Sequence, residues 1–141
     1  MFALMHSTRL ESLHLSVDAV TGLKAVIAIH NSRLGPALGG CRYLAYPDDE
    51  SAVADAARLA QGMSYKAALA GLQVGGGTAV IIRPVHVESR AALFEAFGRC
   101  IEKLDGRFIT SIDSGTSVAD MDCIAQPTRF VPSTPAAGDP A

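Results

Sequence analysis

The stretch Gly71-Leu72-Gln73-Val74-Gly75-Gly76-Gly77-Thr78-Ala79-Val80-Ile81-Ile82 decides how the rest of the chain is read. Three consecutive glycines precede an apolar run, Ala79 to Ile82, with the composition of a strand. Glycines in such a place remove side chains where backbone must come close to another backbone or to a ligand. The segment therefore reads as an active-site-like loop feeding a strand. The residue after the glycines is where such a loop would place a reactive group. Here it is Thr78, whose hydroxyl is no substitute for an amine base.

On the N-terminal side of this loop, residues 51–69 predict a helix. Val53, Ala56, Ala57, Ala60 and Met63 recur at helical spacing, Pro47-Asp48-Asp49-Glu50 is a good start, and Gly71 is a good stop. Gly62 is a candidate break within it. Further upstream, Leu13 to Val17 alternates as a half-buried strand does. Leu23 to His30 reads as a buried strand, and Gly39 to Tyr43 as a short extended piece. On the C-terminal side Pro84 closes the strand. Ser89 then caps an amphipathic helix that runs to Leu104 and ends at Asp105-Gly106. Phe108 to Ile112 is another strand, Asp113 to Thr116 a turn, and Ser117 caps a short helix through Ile124. Strands and helices alternate, so the expected fold is α/β, an open mixed β-sheet flanked by helices. Residues 1–125 form the expected domain. Four of the seven prolines fall in the last 15 residues, so 126–141 reads as an extended, Pro-rich tail.

A net charge of −2 leaves no basic footprint for nucleic acid or an anionic membrane surface. No apolar run is long enough to span a bilayer, and the N-terminus lacks the pattern of a signal peptide. Cys41, Cys100 and Cys123 are odd in number and widely spaced, so they suggest neither a disulfide framework nor a zinc motif. A reduced, cytoplasmic setting is expected, with no metal.

Few residues are candidates for chemistry. Lys66 ends an alanine-rich helix. Taken alone, it reads as a lysine snorkelling near a helix C-terminus before it reads as a ligand. Asp113 directly follows an apolar strand, and in open α/β sheets sites gather at the carboxyl ends of strands. A turn-forming aspartate is an equal reading. His14 and His30 lie within strands and read as core or edge residues. There is no HExxH, GxSxG, Walker loop or GxGxxG.

Five motifs in order change that balance: Gly22 to His30, Leu34-Gly-Pro-Ala-Leu-Gly-Gly-Cys-Arg42, Gly62-Met-Ser-Tyr-Lys66, Gly71 to Gly77, and Ile112 to Thr116. Over about residues 10–130 the chain resembles the leucine dehydrogenases. More broadly, it resembles the N-terminal substrate-binding and dimerisation domain of the Glu/Leu/Phe/Val dehydrogenases. The resemblance implies reversible oxidative deamination of an L-amino acid to a 2-oxo acid, with NAD held by a separate Rossmann domain. It implies a homo-oligomer. Lys66 corresponds to the lysine that grips the α-carboxylate, and Asp113 to the aspartate that moves protons at the amino nitrogen. Gly39 and Gly40 are expected to line the pocket with backbone, and Met63 to share it. Leu38 stands where glutamate-specific relatives carry a lysine. An apolar residue there implies a branched-chain aliphatic substrate, since a second carboxylate would go unpaired.

Two departures follow from the same resemblance. The glycine motif of the family ends in a catalytic lysine of lowered pKa, and this chain has Thr78. The sequence also ends where the resemblance places the lead into the cofactor domain, so no NAD site is expected in it. The expectation is a truncated dehydrogenase domain, inactive alone. The alternatives are a non-catalytic binding module for small apolar amino or oxo acids and a structural dimerisation subunit.

Overall fold

A computed structural model describes residues 1–132. The central element is not a loop: the glycine triplet opens strand β4 (Gly75–Ile82), and residues 75–81 are buried. Glycine is poor in strands on propensity, so tertiary contact decides here. A side chain on Gly75 would overlap the carbonyl of Asn31 on one neighbouring strand. One on Gly76 would overlap the backbone of Ser64 on the helix above. The strand forms because two elements approach it more closely than any Cβ permits.

Those neighbours complete a five-stranded sheet in the order β1-β2-β4-β3-β5. Strand β1 (Ser12–Asp18) pairs antiparallel with β2 (Leu23–Asn31), which pairs antiparallel with β4. Strand β3 (Ala37–Leu44) runs parallel both to β4 and to β5 (Phe108–Ile112). The sheet is therefore open and mixed, as the pattern of elements predicts. The β1–β2 turn closes through the Gly22 N–H, which donates to the Asp18 carbonyl, and Gly22 takes the positive φ of 81° that the turn needs.

One face carries α2 (Asp49–Leu69), capped by Asp48, whose carboxylate accepts the Ser51 N–H at 2.7 Å. Gly62 does not break this helix. A Cβ there would meet nothing within 4 Å, so the position costs propensity alone, and 21 residues of packed helix absorb it. Gly71 follows the helix end with φ 71°. A short helix, α1 (Phe2–Thr8), which the residue pattern does not announce, lies beside α2 and adds Leu4 and Met5 to its cluster.

The other face carries α3 (Arg90–Lys103) and α4 (Val118–Ala125) over Phe94, Phe97, Ile101, Phe108 and Ile124. Ser117 and Asp120 form a reciprocal capping box that starts α4. Packing does not stop at residue 125. Thr128 is buried and its hydroxyl donates to Glu102 at 2.6 Å, and Phe130 and Val131 pack on the core. The Pro-rich tail expected from 126 is thus part of the folded body as far as it is described. Residues 133–141 of that tail lie outside the described residues.

Candidate functional site

Strand alternation sorts the candidate residues. On β4, Ala79 and Ile81 face α3, while Val80 belongs to the α2 cluster. Thr78 and Gly76 share the parity of Val80, so they lie beneath α2. Thr78 is 2% exposed and pairs with Ala28 of β2. On β3, Leu38 pairs with Gly76 and Cys41 with Ala79, which sets Gly40 beside Thr78.

The C-terminal turns of α2 rise over this surface and leave a pocket of about 230 Å³. Leu38, Met63, Lys66, Ala67, Ala70, Leu72, Val74 and Gly75 line it, and Lys66 is its charged member. Three of the expected binding residues therefore meet in one apolar pocket. Lys66 is exposed, and among the described residues its ammonium makes no ion pair. A small molecule with one carboxylate and an apolar body matches such a wall.

At Gly39 and Gly40 the missing side chains permit close approach. A Cβ on Gly39 would overlap the carbonyl of Gly77, so that residue lets β3 close on β4. A Cβ on Gly40 would lie 2.5 Å from Oδ2 of Asp113, so that residue makes room for a carboxylate. Asp113 stands just past β5, and its backbone N–H donates to Thr116 Oγ1 at 2.9 Å. Its Oδ1 accepts the Ser114 N–H at 2.7 Å. Gly40 and Leu38 are two residues apart on one face of β3, so the carboxylate and the pocket are separated by about 7 Å of strand.

Around Asp113 lies a polar network that reading the motifs did not single out. Arg42 Nε faces Asp113 Oδ2 at 3.5 Å, and Arg42 Nη1 faces Asp55 Oδ2 at 3.8 Å. Tyr46 donates its hydroxyl to the same Asp55 oxygen at 2.6 Å. Burial and then this hydrogen bond push the Tyr46 phenol well above its ordinary range. Arg42 sits two residues beyond Gly40, so strand period alone could have placed it on the face of the site. Nearer α1, His30 Nδ1 is 2.8 Å from Ser64 Oγ, and burial lowers its pKa. Burial drives the Cys41 thiol far upward, with Asp120 and Asp113 adding to it, so this cysteine is an inert core residue.

A larger groove of about 320 Å³ lies at the other end of α2, lined by Met1, Leu15, Val17, Val53 and Ile82 among others. None of the expected site residues reaches it. Among the described residues no cluster of His, Cys, Asp or Glu is suited to hold a metal. No helix among them is long and apolar enough to cross a membrane. The glycine triplet does not fit a dinucleotide phosphate, because the missing side chains face protein atoms: Asn31 of β2, Ser64 of α2 and the Phe108 ring.

Residues 8–130 match the family model described as Glu/Leu/Phe/Val dehydrogenase, dimerisation domain. The chain is 50% identical over 131 residues to a leucine dehydrogenase of Geobacillus stearothermophilus, covering 93% of this chain and 36% of that protein. It is 51% identical over 134 residues to a valine dehydrogenase of Streptomyces virginiae, covering 92% and 37%. The crystal structure of an L-tryptophan dehydrogenase from Nostoc punctiforme superimposes with a TM-score of 0.88 at 40% identity, covering 92% of this chain and 39% of that one. The chain thus spans well under half the length of these proteins.

Proposed function

The chain belongs to the Glu/Leu/Phe/Val dehydrogenase family, and on that premise we propose that it holds a small apolar amino acid, or the matching 2-oxo acid, in the pocket beside Lys66. The observation that carries this reading is one cation at the wall of an otherwise apolar pocket. Lys66 pairs with the α-carboxylate, and Leu38 and Met63 receive the side chain. Asp113 meets the amino nitrogen from over Gly40. An apolar floor at Leu38 favours an aliphatic side chain and leaves a second carboxylate unpaired. Similarity to leucine and valine dehydrogenases supports the same class.

Chemistry at that nitrogen needs a base as well as a grip. Thr78 occupies the position on β4 beside Gly40, and its hydroxyl does not take up a proton near neutral pH. In the family, NAD accepts the hydride; the glycine triplet, packed against protein atoms, leaves no room for that cofactor's phosphates. We therefore read the domain as a binding unit that does not oxidise amino acids by itself, in a cytoplasmic homo-oligomer. Calorimetric titration tests this. Binding of 2-oxoisocaproate with 2-oxoglutarate weaker by tenfold or more is expected, with no NAD-dependent oxidation of L-leucine. Equal affinity for both acids, or turnover by pure protein, contradicts it.

A second reading, a structural dimerisation subunit, is favoured by β1. Its outer edge pairs with no strand among the described residues, and Leu15 and Val17 are 57% and 75% exposed along it. Neither lysine nor proline guards that edge. The two readings are compatible, since Leu15 and Val17 lie by the N-terminal end of α2 and the pocket lies at its C-terminal end.

A further inference from the structure

Asp113 is held by more than its own turn. Its backbone is pinned by Thr116, and its Oδ1 by the Ser114 N–H. Neither contact decides where Oδ2 points. That oxygen lies over Gly40, in space that any other residue at position 40 would fill, and the group facing it is Arg42 Nε at 3.5 Å. The Nε is sealed from solvent and makes no hydrogen bond among the described residues. Its distance exceeds the 2.7–2.9 Å typical of a charge-assisted bond, so the pair is an ion contact rather than a hydrogen bond.

The far end of the guanidinium is braced from α2. Asp55 faces Nη1, and Asp55 is itself fixed by the Tyr46 hydroxyl and approached by Arg58 at 3.3 Å. A chain of contacts thus runs from α2, which bears Met63 and Lys66, through Arg42 to Asp113. The planar fork of arginine suits this task because it faces two carboxylates in one fixed geometry.

We propose that Arg42 is a positioning residue, braced by Asp55, that holds the Asp113 carboxylate in one rotamer over Gly40. This rests on the reading of Asp113 as the group that meets the substrate nitrogen. Arg42 itself touches no substrate. The alternative is that Arg42 only ties α2 to the sheet, in which case its loss lowers stability and leaves Asp113 where it is.

The test is the χ1 rotamer of Asp113 in the full chain, read from three-bond couplings of its Cγ to its own amide nitrogen and carbonyl carbon. Wild type is expected to show couplings of a single rotamer. Arg42→Met is expected to show averaged values, and Asp55→Asn, which removes the brace and keeps the arginine, intermediate ones. Should Arg42→Met not fold, Asp55→Asn and Arg42→Lys carry the comparison. Averaged couplings in wild type overturn the proposal. So do single-rotamer couplings in the variants, even with a lowered melting temperature. Titration of wild type with L-leucine separates the two levels. No binding removes the substrate role of Asp113, while the coupling result still decides what Arg42 does.

Discussion

Phe94, Phe97 and Ile101 of α3 interlock with Phe108 and Ile124 on one face of the sheet, whereas α2 covers the other face with Ala52, Val53, Ala56, Ala57 and Ala60. Large side chains hold α3 and α4 at a distance and fill the gap. Small ones let α2 descend until only glycine fits beneath it at Gly76. The aromatic face forms the larger core. The alanine face trades side-chain volume for close approach, which lets Met63, Lys66 and Arg42 reach common ground with Leu38 and Asp113. The large-residue core and the proposed site thus lie on opposite faces of one sheet.

That contrast can be broken from either side. The largest effect is expected at Phe97, which is fully buried: Phe97→Ala should cost about 3–5 kcal/mol in urea unfolding. Loss of less than about 1 kcal/mol would show that the aromatic face is not the core. On the alanine face the damage should come from adding atoms. Gly76→Ala drives a methyl into Ser64 and should cost about 1–3 kcal/mol while lifting α2 away from the pocket. A neutral result there contradicts the close approach.

A pH scan separates the faces by charge. Burial alone would raise the pKa of Asp120, but Arg90 at 2.8 Å and the Ser117 N–H hold it below the ordinary carboxylate value. A depressed pKa means stability that is present above the unfolded value, near 4, and lost as pH falls below it. Asp120→Asn should flatten that acid limb of the melting temperature, whereas wild type retains it. The same slope in both proteins refutes the assignment. The smallest effect is expected at Gly62, where open space surrounds the missing side chain. Gly62→Ala should add about 0.5–1 kcal/mol, and a loss instead would reveal a neighbour pressed against that helix.

Much of this was legible in the residues. Strands β2 and β5 and the long helices follow from apolar period and caps, and the resemblance identified Lys66, Leu38 and Met63 before geometry brought them to one pocket. The glycine triplet reads as a loop in the sequence, since strand propensity argues against three glycines and only the close approach of β2 and α2 overrides it. Helix α1 leaves no sequence signature because seven residues are too few to be stable without α2 to lie against. Residues 127–131 look like a tail by composition, and only the buried partners of Thr128 and Phe130 reveal otherwise. Arg42 was visible as part of a motif, but its task depends on Asp55 and Asp113, which are distant in sequence and adjacent in space.

The central claim is that the pocket at the end of α2 holds a small acid through Lys66. Amide shifts of isotope-labelled protein during titration with 2-oxoisocaproate test it most directly. The account predicts shifts confined to Leu38, Met63, Ala67, Gly75 and their neighbours, abolished in Lys66→Ala, whose stability should stay within about 0.5 kcal/mol of wild type because the side chain is exposed. Shifts that persist in Lys66→Ala, or that cluster along β1 and the N-terminal end of α2, would contradict it.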